Sequence, residues 1–76
     1  MDEETAAEVI RRAKQMNADL NDMVWLAMDA GVSEEDFNQF RRRVGRVMGE
    51  VYDELLRPLF DKFPHLTPPE LIPPRA

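Results

Sequence analysis

The sequence predicts an all-α protein, a long antiparallel helical hairpin with a proline-rich extended tail at its carboxyl end, on three observations. Val9, Ala13, Met16, Leu20, Met23, Ala27 and Ala30 step by four and three residues without a break, which is the spacing of a helical seam. A second apolar stripe, Phe37, Phe40, Val44, Val47, Val51 and Leu55, opens just beyond Gly31, so a tight turn joins two rods. Beyond it Pro64, Pro68, Pro69, Pro73 and Pro74 crowd the last residues, too densely for helix or interior strand.

Helix 1 is expected over about 6–30. Thr5 and Glu8 have the spacing of a capping box, in which the hydroxyl accepts from the Glu8 amide and the carboxylate reaches back to the Thr5 amide. Gly31 then supplies the left-handed residue that closes a helix carboxyl end. A rod of about 25 residues is about 37 Å long. Its weak point is 17–22, where Asn17, Asp19, Asn21 and Asp22 compete with the backbone for hydrogen bonds. A break there converts the hairpin into a three-helix bundle, the alternative architecture.

Helix 2 is expected over about 34–57. Ser33 is a good N-cap, Glu34, Glu35 and Asp36 place negative charge where the helix dipole is positive, and Val32 and Phe37 form a hydrophobic staple. Pro58 lacks the amide that would bond Glu54 and crowds that carbonyl, so the helix should end or kink there, leaving a short turn over 59–63. Residues 1–63 form the helical domain and 64–76 the tail. In polyproline II form the tail reaches about 40 Å, enough to run back along the hairpin or onto a neighbour. With the turn near Ser33, antiparallel pairing brings Arg11, Arg12 and Lys14 level with Glu50, Asp53 and Glu54, and Asp19 and Asp22 level with Arg41 to Arg46. Each such exposed pair is worth only some tenths of a kcal/mol, so the pattern speaks for register more than for stability.

A chain of 76 residues buries only about 60% of the surface its unfolded form exposes, so its core is marginal and a further device is needed. Without cysteine there is no disulfide, and the single histidine, His65, has no thiolate to join it in a structural zinc site. Oligomerisation is the device left, and a homodimer is expected, with no metal and no cofactor. The net charge of −5 disfavours nonspecific adhesion to nucleic acid or to an anionic membrane. Acidic residues Asp2, Glu3 and Glu4 have the wrong sign for a signal or transit peptide, and the apolar run Met23 to Met28 is too short to span a bilayer. A cytoplasmic protein without a membrane partner is expected.

The candidate binding residues are those a single partner helix cannot cover. At 100° per residue helix 2 is apolar over roughly 200°, because a second stripe of Gly45, Met48, Gly49, Tyr52 and Leu56 flanks the first. That stripe must meet the tail or another subunit. Gly45 and Gly49 each cost about 1 kcal/mol against alanine in a helix interior, and their spacing of four opens a strip where another backbone approaches closely. The plainer alternative is that they seat helix 2 tightly on helix 1. On helix 1, Trp25 and Leu26 point away from the seam, and Trp25 with Met28 offers an anchor and an adaptable neighbour of the kind favoured at binding surfaces. The alternative cover for Trp25 is the chain's own tail or Phe37 and Phe40. In the tail Leu66, Leu71 and Ile72 stand between prolines, where apolar side chains dock with little entropy to lose.

Arg41, Arg42, Arg43 and Arg46 are four of the eight arginines, and Arg42 and Arg46 sit one turn apart on the polar arc, as phosphate contacts require. No aromatic interleaves with them for base stacking, and Asp19, Asp22, Glu50 and Asp53 lie near, so a solvated, salt-bridged face is the commoner outcome. For catalysis the inventory is short: His65 lies in the tail, the only serine is a helix cap, and no glycine-rich phosphate loop exists. Asn17 to Asp22 resemble the opening of a calcium loop, but Asp22 stands where glycine is required and Met28 where the bidentate glutamate belongs. The sequence therefore points to a non-catalytic protein-protein interaction protein, an adaptor, accessory subunit or small inhibitor or immunity-type protein with an unidentified protein partner. A small dimeric nucleic-acid-binding regulator is the second reading.

Overall fold

A single layer of helices, folded once on itself, is what the computed structural model shows over the residues it describes, 1–71. Ile72, expected among the apolar anchors of the tail, lies outside the described residues. Helix α1 spans Glu3–Asp29 and α2 spans Glu34–Glu50; a π-helical segment, Val51–Leu56, leads directly into α3, Arg57–Lys62. Two short 3-10 turns, Pro64–Leu66 and Pro69–Leu71, follow.

Helix α1 begins three residues earlier than the capping box at Thr5 and Glu8 suggests. Asp2 is the cap: its Oδ1 accepts from the Thr5 amide at 2.8 Å, and Glu3 and Glu4 place charge on the first turn. Glu8 turns instead to its own rod, accepting from Arg11 at 2.7 and 3.0 Å and from Arg12 at 2.9 Å. No break occurs at 17–22, so the three-helix alternative does not hold. The short polar side chains find partners along the helix, as Gln15 does in donating to Asp19 Oδ1 at 3.0 Å, and the backbone ladder continues for 27 residues, about 40 Å. Gly31, at φ 72°, then turns the chain, as expected.

The buried face of α1 is rotated from the expected seam. Ala6, Ile10 and Ala13 are buried and Val9, Asn17, Leu20, Val24 and Ala27 half-buried, a stripe that shares Val9, Ala13, Leu20 and Ala27 with the expected one and leaves Met16, Met23 and Ala30 outside. Both stripes are apolar, so spacing alone does not choose between them. Burying Ile10 and Val24 sacrifices less rotamer freedom than burying Met16 and Met23, and the structure takes the cheaper side. Its cost is Asn17, whose Oδ1 is enclosed without a hydrogen-bond partner.

Helix α2 starts as expected, with Ser33 Oγ accepting from the Asp36 amide at 3.1 Å. Its far end differs. The chain does not stop at Pro58 but stays helical to Lys62, because the wide π turn just before the proline relaxes the crowding at the Glu54 carbonyl. Within that turn the Arg57 amide donates to the Tyr52 carbonyl, five residues back, and the helix passes Pro58, which has no amide to donate, directly after this widened turn. The turn inserts one residue into the helical repeat and so changes which side chain points inward. Leu56 is only 4% exposed and Leu55 is 42% exposed, the reverse of the simple period.

The core joins Ile10 and Ala13 of α1 to Val51, Leu56 and Phe60, with Leu20, Tyr52, Leu59 and Leu66 packed against it, as an antiparallel register turning near Ser33 requires. Tyr52 and Phe60 meet with ring centroids 6.4 Å apart. Apart from Leu20, which is past the middle of α1, this core lies toward the open end of the hairpin. Residues 64–71 of the tail cover it without stretching out. Over 64–71 the prolines pre-set two tight turns in place of polyproline II, with Thr67 N bonding Pro64 O at 3.1 Å and Leu71 N bonding Pro68 O at 3.0 Å. Leu66 packs on the core and borders a concavity with Ala7, Ile10 and Lys14, and His65 Nε2 meets Glu3 Oε1. The expected cross-rod ion pairs are not formed: among the described residues Arg11 and Arg12 pair with Glu8, one turn away on the same helix, where less side-chain ordering is required.

Candidate functional site

The hairpin measures 44 × 33 × 17 Å, so its thinnest dimension is less than two helix diameters. Its radius of gyration is 15.3 Å, where a compact chain of this length has about 11 Å. Stable domains stack at least two layers around a core; here one layer leaves both of its faces open. Among the described residues only Ala6, Ile10, Ala13, Val44, Val51, Leu56 and Phe60 are buried, and none of these is a charged or polar side chain.

One flank of the layer was assigned by sequence to the interior and is in fact outside. Met16 and Met23, both expected in the seam, are 48% and 47% exposed, and beside them Leu26, expected off the seam, is 71% exposed. Two adjoining concavities run along this flank and share Met23: one lined by Met16, Asp19 and Leu20, the other by Leu26, Ala27, Ala30, Val32, Asp36 and Phe40. Val47, seven residues from Phe40, continues the strip along α2 and is itself exposed. The signal that finds these residues in the sequence is the equal apolarity of two neighbouring stripes on α1, of which one hairpin partner covers one.

The other flank carries most of the expected binding residues. Trp25 is nine residues, half a revolution, from Met16, and is 55% exposed; Met28 beside it is 49% exposed. Among the described residues, neither tail residues 64–71 nor Phe37 and Phe40 enclose the indole. On α2, a Cβ added to Gly45 or Gly49 would meet no heavy atom within 4 Å, so these glycines do not seat α2 on α1. Met48 and Tyr52 are half-buried, and Tyr52 shares a cleft with Phe60, Pro64, Thr67 and Leu71, where the tail meets the hairpin. Leu56 leaves the stripe altogether, because the π turn points it into the core. The structure thus gathers Trp25, Met28, Gly45, Met48 and Gly49 on an open flank, hands Tyr52 to the tail and hides Leu56.

Arg41, Arg42, Arg43 and Arg46 are all exposed and, among the described residues, none forms an ion pair. They do not make one patch. Arg42 shares a shallow groove with Glu34, Glu35, Asn38 and Gln39, while Arg43 points, three residues from Phe40 and four from Val47, to the methionine flank. Among the described residues no group of three or more His, Cys, Asp and Glu is placed to hold a metal ion, and no helix is long and apolar enough to cross a membrane.

Two carboxylates are displaced from their ordinary values. The Thr5 hydroxyl and amide hold Asp2 low, and hydrogen bonds from Arg11 and Arg12 pull Glu8 from 4.5 down to about 2. A depressed folded value means that the contribution is complete above the ordinary carboxylate range and is lost as the pH falls through the folded value. Both groups stand in water, so the effect on global stability is small. The expected result is a Glu8 carboxyl carbon resonance that titrates near 2 in the folded chain and returns toward 4.5 in Arg11→Gln/Arg12→Gln.

No family model matches this chain, and neither a curated protein nor a solved structure is significantly similar to it. What fold and surface define is a class: a small all-α hairpin, one layer thick, with apolar side chains on both faces.

Proposed function

We propose that this chain is a non-catalytic protein-protein interaction protein that works in the cytoplasm as a homo-oligomeric helical bundle, in the manner of an adaptor, accessory subunit or small inhibitor. One observation carries the reading: a single helical layer with a small core displays Met16, Met23, Trp25, Leu26, Met28 and Phe40 to solvent. Large apolar side chains gathered on a surface mark sites of association, and a chain of this size needs association to offset the entropy of folding. Trp25 and Met28, beside the strip opened by Gly45 and Gly49, are the contacts proposed for a heterologous protein partner. Light scattering over a dilution series tests the reading. A mass above that of one 8.8 kDa chain at micromolar concentration is expected, and a single chain at every concentration contradicts it.

The four exposed arginines favour a second reading, a dimeric nucleic-acid-binding regulator. Against it stand the net charge of −5 and the two glutamates beside Arg42. Phosphate binding would weaken steeply with salt and collapse in Arg42→Glu/Arg46→Glu. The interaction reading predicts no measurable retention of duplex DNA or RNA by either protein at physiological salt, and an unchanged mass for the double variant.

A further inference from the structure

We propose that a second copy of this chain covers the flank of Met16, Met23, Phe40 and Val47 about a two-fold axis parallel to the hairpin, so that each α1 lies against the partner's α2. The inference rests on the homo-oligomeric reading above and adds its face and its symmetry.

Area is the first argument. The chain exposes 6070 Å², where a compact protein of 8.8 kDa exposes about 4,800 Å². The excess, about 1,300 Å², exceeds the roughly 800 Å² per partner that a stable interface of standard size removes from water. The methionine flank offers a continuous apolar strip, running from Met16 through Met23 and Leu26 to Val32 and Phe40 across both concavities. On the opposite flank residues 64–71 already occupy the open end, where Leu66 packs on the core and Thr67 and Leu71 line a cleft with Tyr52.

Charge decides the symmetry. The strip is edged by two ladders of residues seven apart: Arg12, Asp19 and Leu26 on α1, and Asp36, Arg43 and Glu50 on α2. Asp19 lines the concavity of Met16 and Met23, and Asp36 that of Leu26 and Phe40, which places both ladders at the rim. In the antiparallel register of the hairpin, Arg12 is level with Glu50 and Asp19 with Arg43, each within one helical turn. A two-fold axis parallel to the hairpin sets α1 beside the partner's α2 at unchanged height. Arg12 then meets the partner's Glu50, and Asp19 meets the partner's Arg43. Every pair of neighbouring helices in the resulting four-helix bundle is antiparallel, which also opposes their dipoles. A perpendicular axis through the middle of the strip would instead set α1 on α1 and α2 on α2. It would bring Asp19 near the partner's Asp19 and Arg43 against the partner's Arg43, a repulsive match at both edges. Opposite charges at such flanking positions select partner orientation in helical bundles, and here they select the first arrangement.

The chain has no cysteine, so single thiols report the arrangement cleanly. Asp19→Cys and Arg43→Cys, both at exposed positions, are each treated with a short bis-maleimide, alone and after co-expression with distinguishable tags. The expected result is a covalent dimer joining Asp19→Cys to Arg43→Cys in the co-expressed sample, with neither variant linking to itself. Self-linking of either variant, or a dimer that links in none of the samples, overturns the inference while the homo-oligomeric reading stands. A single chain at every concentration in light scattering overturns both.

Discussion

Leu56→Ala is expected to lower the unfolding free energy by about 3 kcal/mol, and Leu55→Ala by less than about 1 kcal/mol. The two residues are neighbours of the same type, yet the π turn at Val51–Leu56 sends one into contact with Ile10, Val51 and Phe60 and the other into water. Truncating the buried leucine removes its transfer energy and leaves a cavity that a thin core fills poorly. A domain of this size has only about 5 kcal/mol of stability to lose, so Leu56→Ala should populate unfolded chains well below the wild-type urea midpoint. Urea unfolding followed by circular dichroism, at one fixed protein concentration because association is coupled to folding, makes the comparison. Equal effects, or a larger one at Leu55, would mean that the helix passes 51–56 with an ordinary α-helical period.

The second large effect belongs to the open methionine flank. Met23→Glu/Phe40→Glu is expected to weaken self-association by at least 100-fold while leaving the helical circular dichroism spectrum of the chain in place. Met23 is shared by both concavities and Phe40 stands across the groove from it, so in a symmetric dimer the double variant puts four carboxylates into one apolar contact. Met23 is 47% and Phe40 37% exposed in the single chain and neither belongs to the buried core, so the hairpin keeps its main contacts. Sedimentation velocity reads the outcome: an unchanged dimer would place the association on another face, and loss of helix would assign the two residues to the fold itself.

The sequence was a good guide wherever a local rule acts alone. Ser33 caps α2, Gly31 takes the left-handed turn, and the hairpin follows from two apolar stripes separated by that turn. Competition between local rules was not legible. Asp2 and Thr5 both suit a helix start, and Asp2 prevails because it also brings Glu3 and Glu4 into the first turn. The stripe through Met16 and Met23 and the stripe through Ile10 and Val24 fit one partner helix equally well; side-chain entropy, which no periodicity records, separates them. The same limit applies at Pro58, where a breaking signal is absorbed by a π turn whose insertion shifts the inward face by one residue.

For the surface, the exposure of Trp25 and Met28 and the openness of Gly45 and Gly49 could be read from helical angles alone. Leu56 could not, since its direction depends on the inserted residue. The methionine flank was hidden for a related reason. Residues that satisfy the rule for an interior seam were taken up by it, although the layer has only one interior seam to fill.

The five methionines supply the most direct measurement of the central claim, that a second copy shelters the Met16 and Met23 flank. With isotope-labelled methionine methyl groups, the relaxation caused by a soluble paramagnetic agent is followed from dilute to concentrated protein. The account predicts that Met16 and Met23 become protected as concentration rises while Met1 and Met28 stay accessible. Methyls of Met16 and Met23 that remain as accessible as that of Met28 at the highest concentration would contradict it.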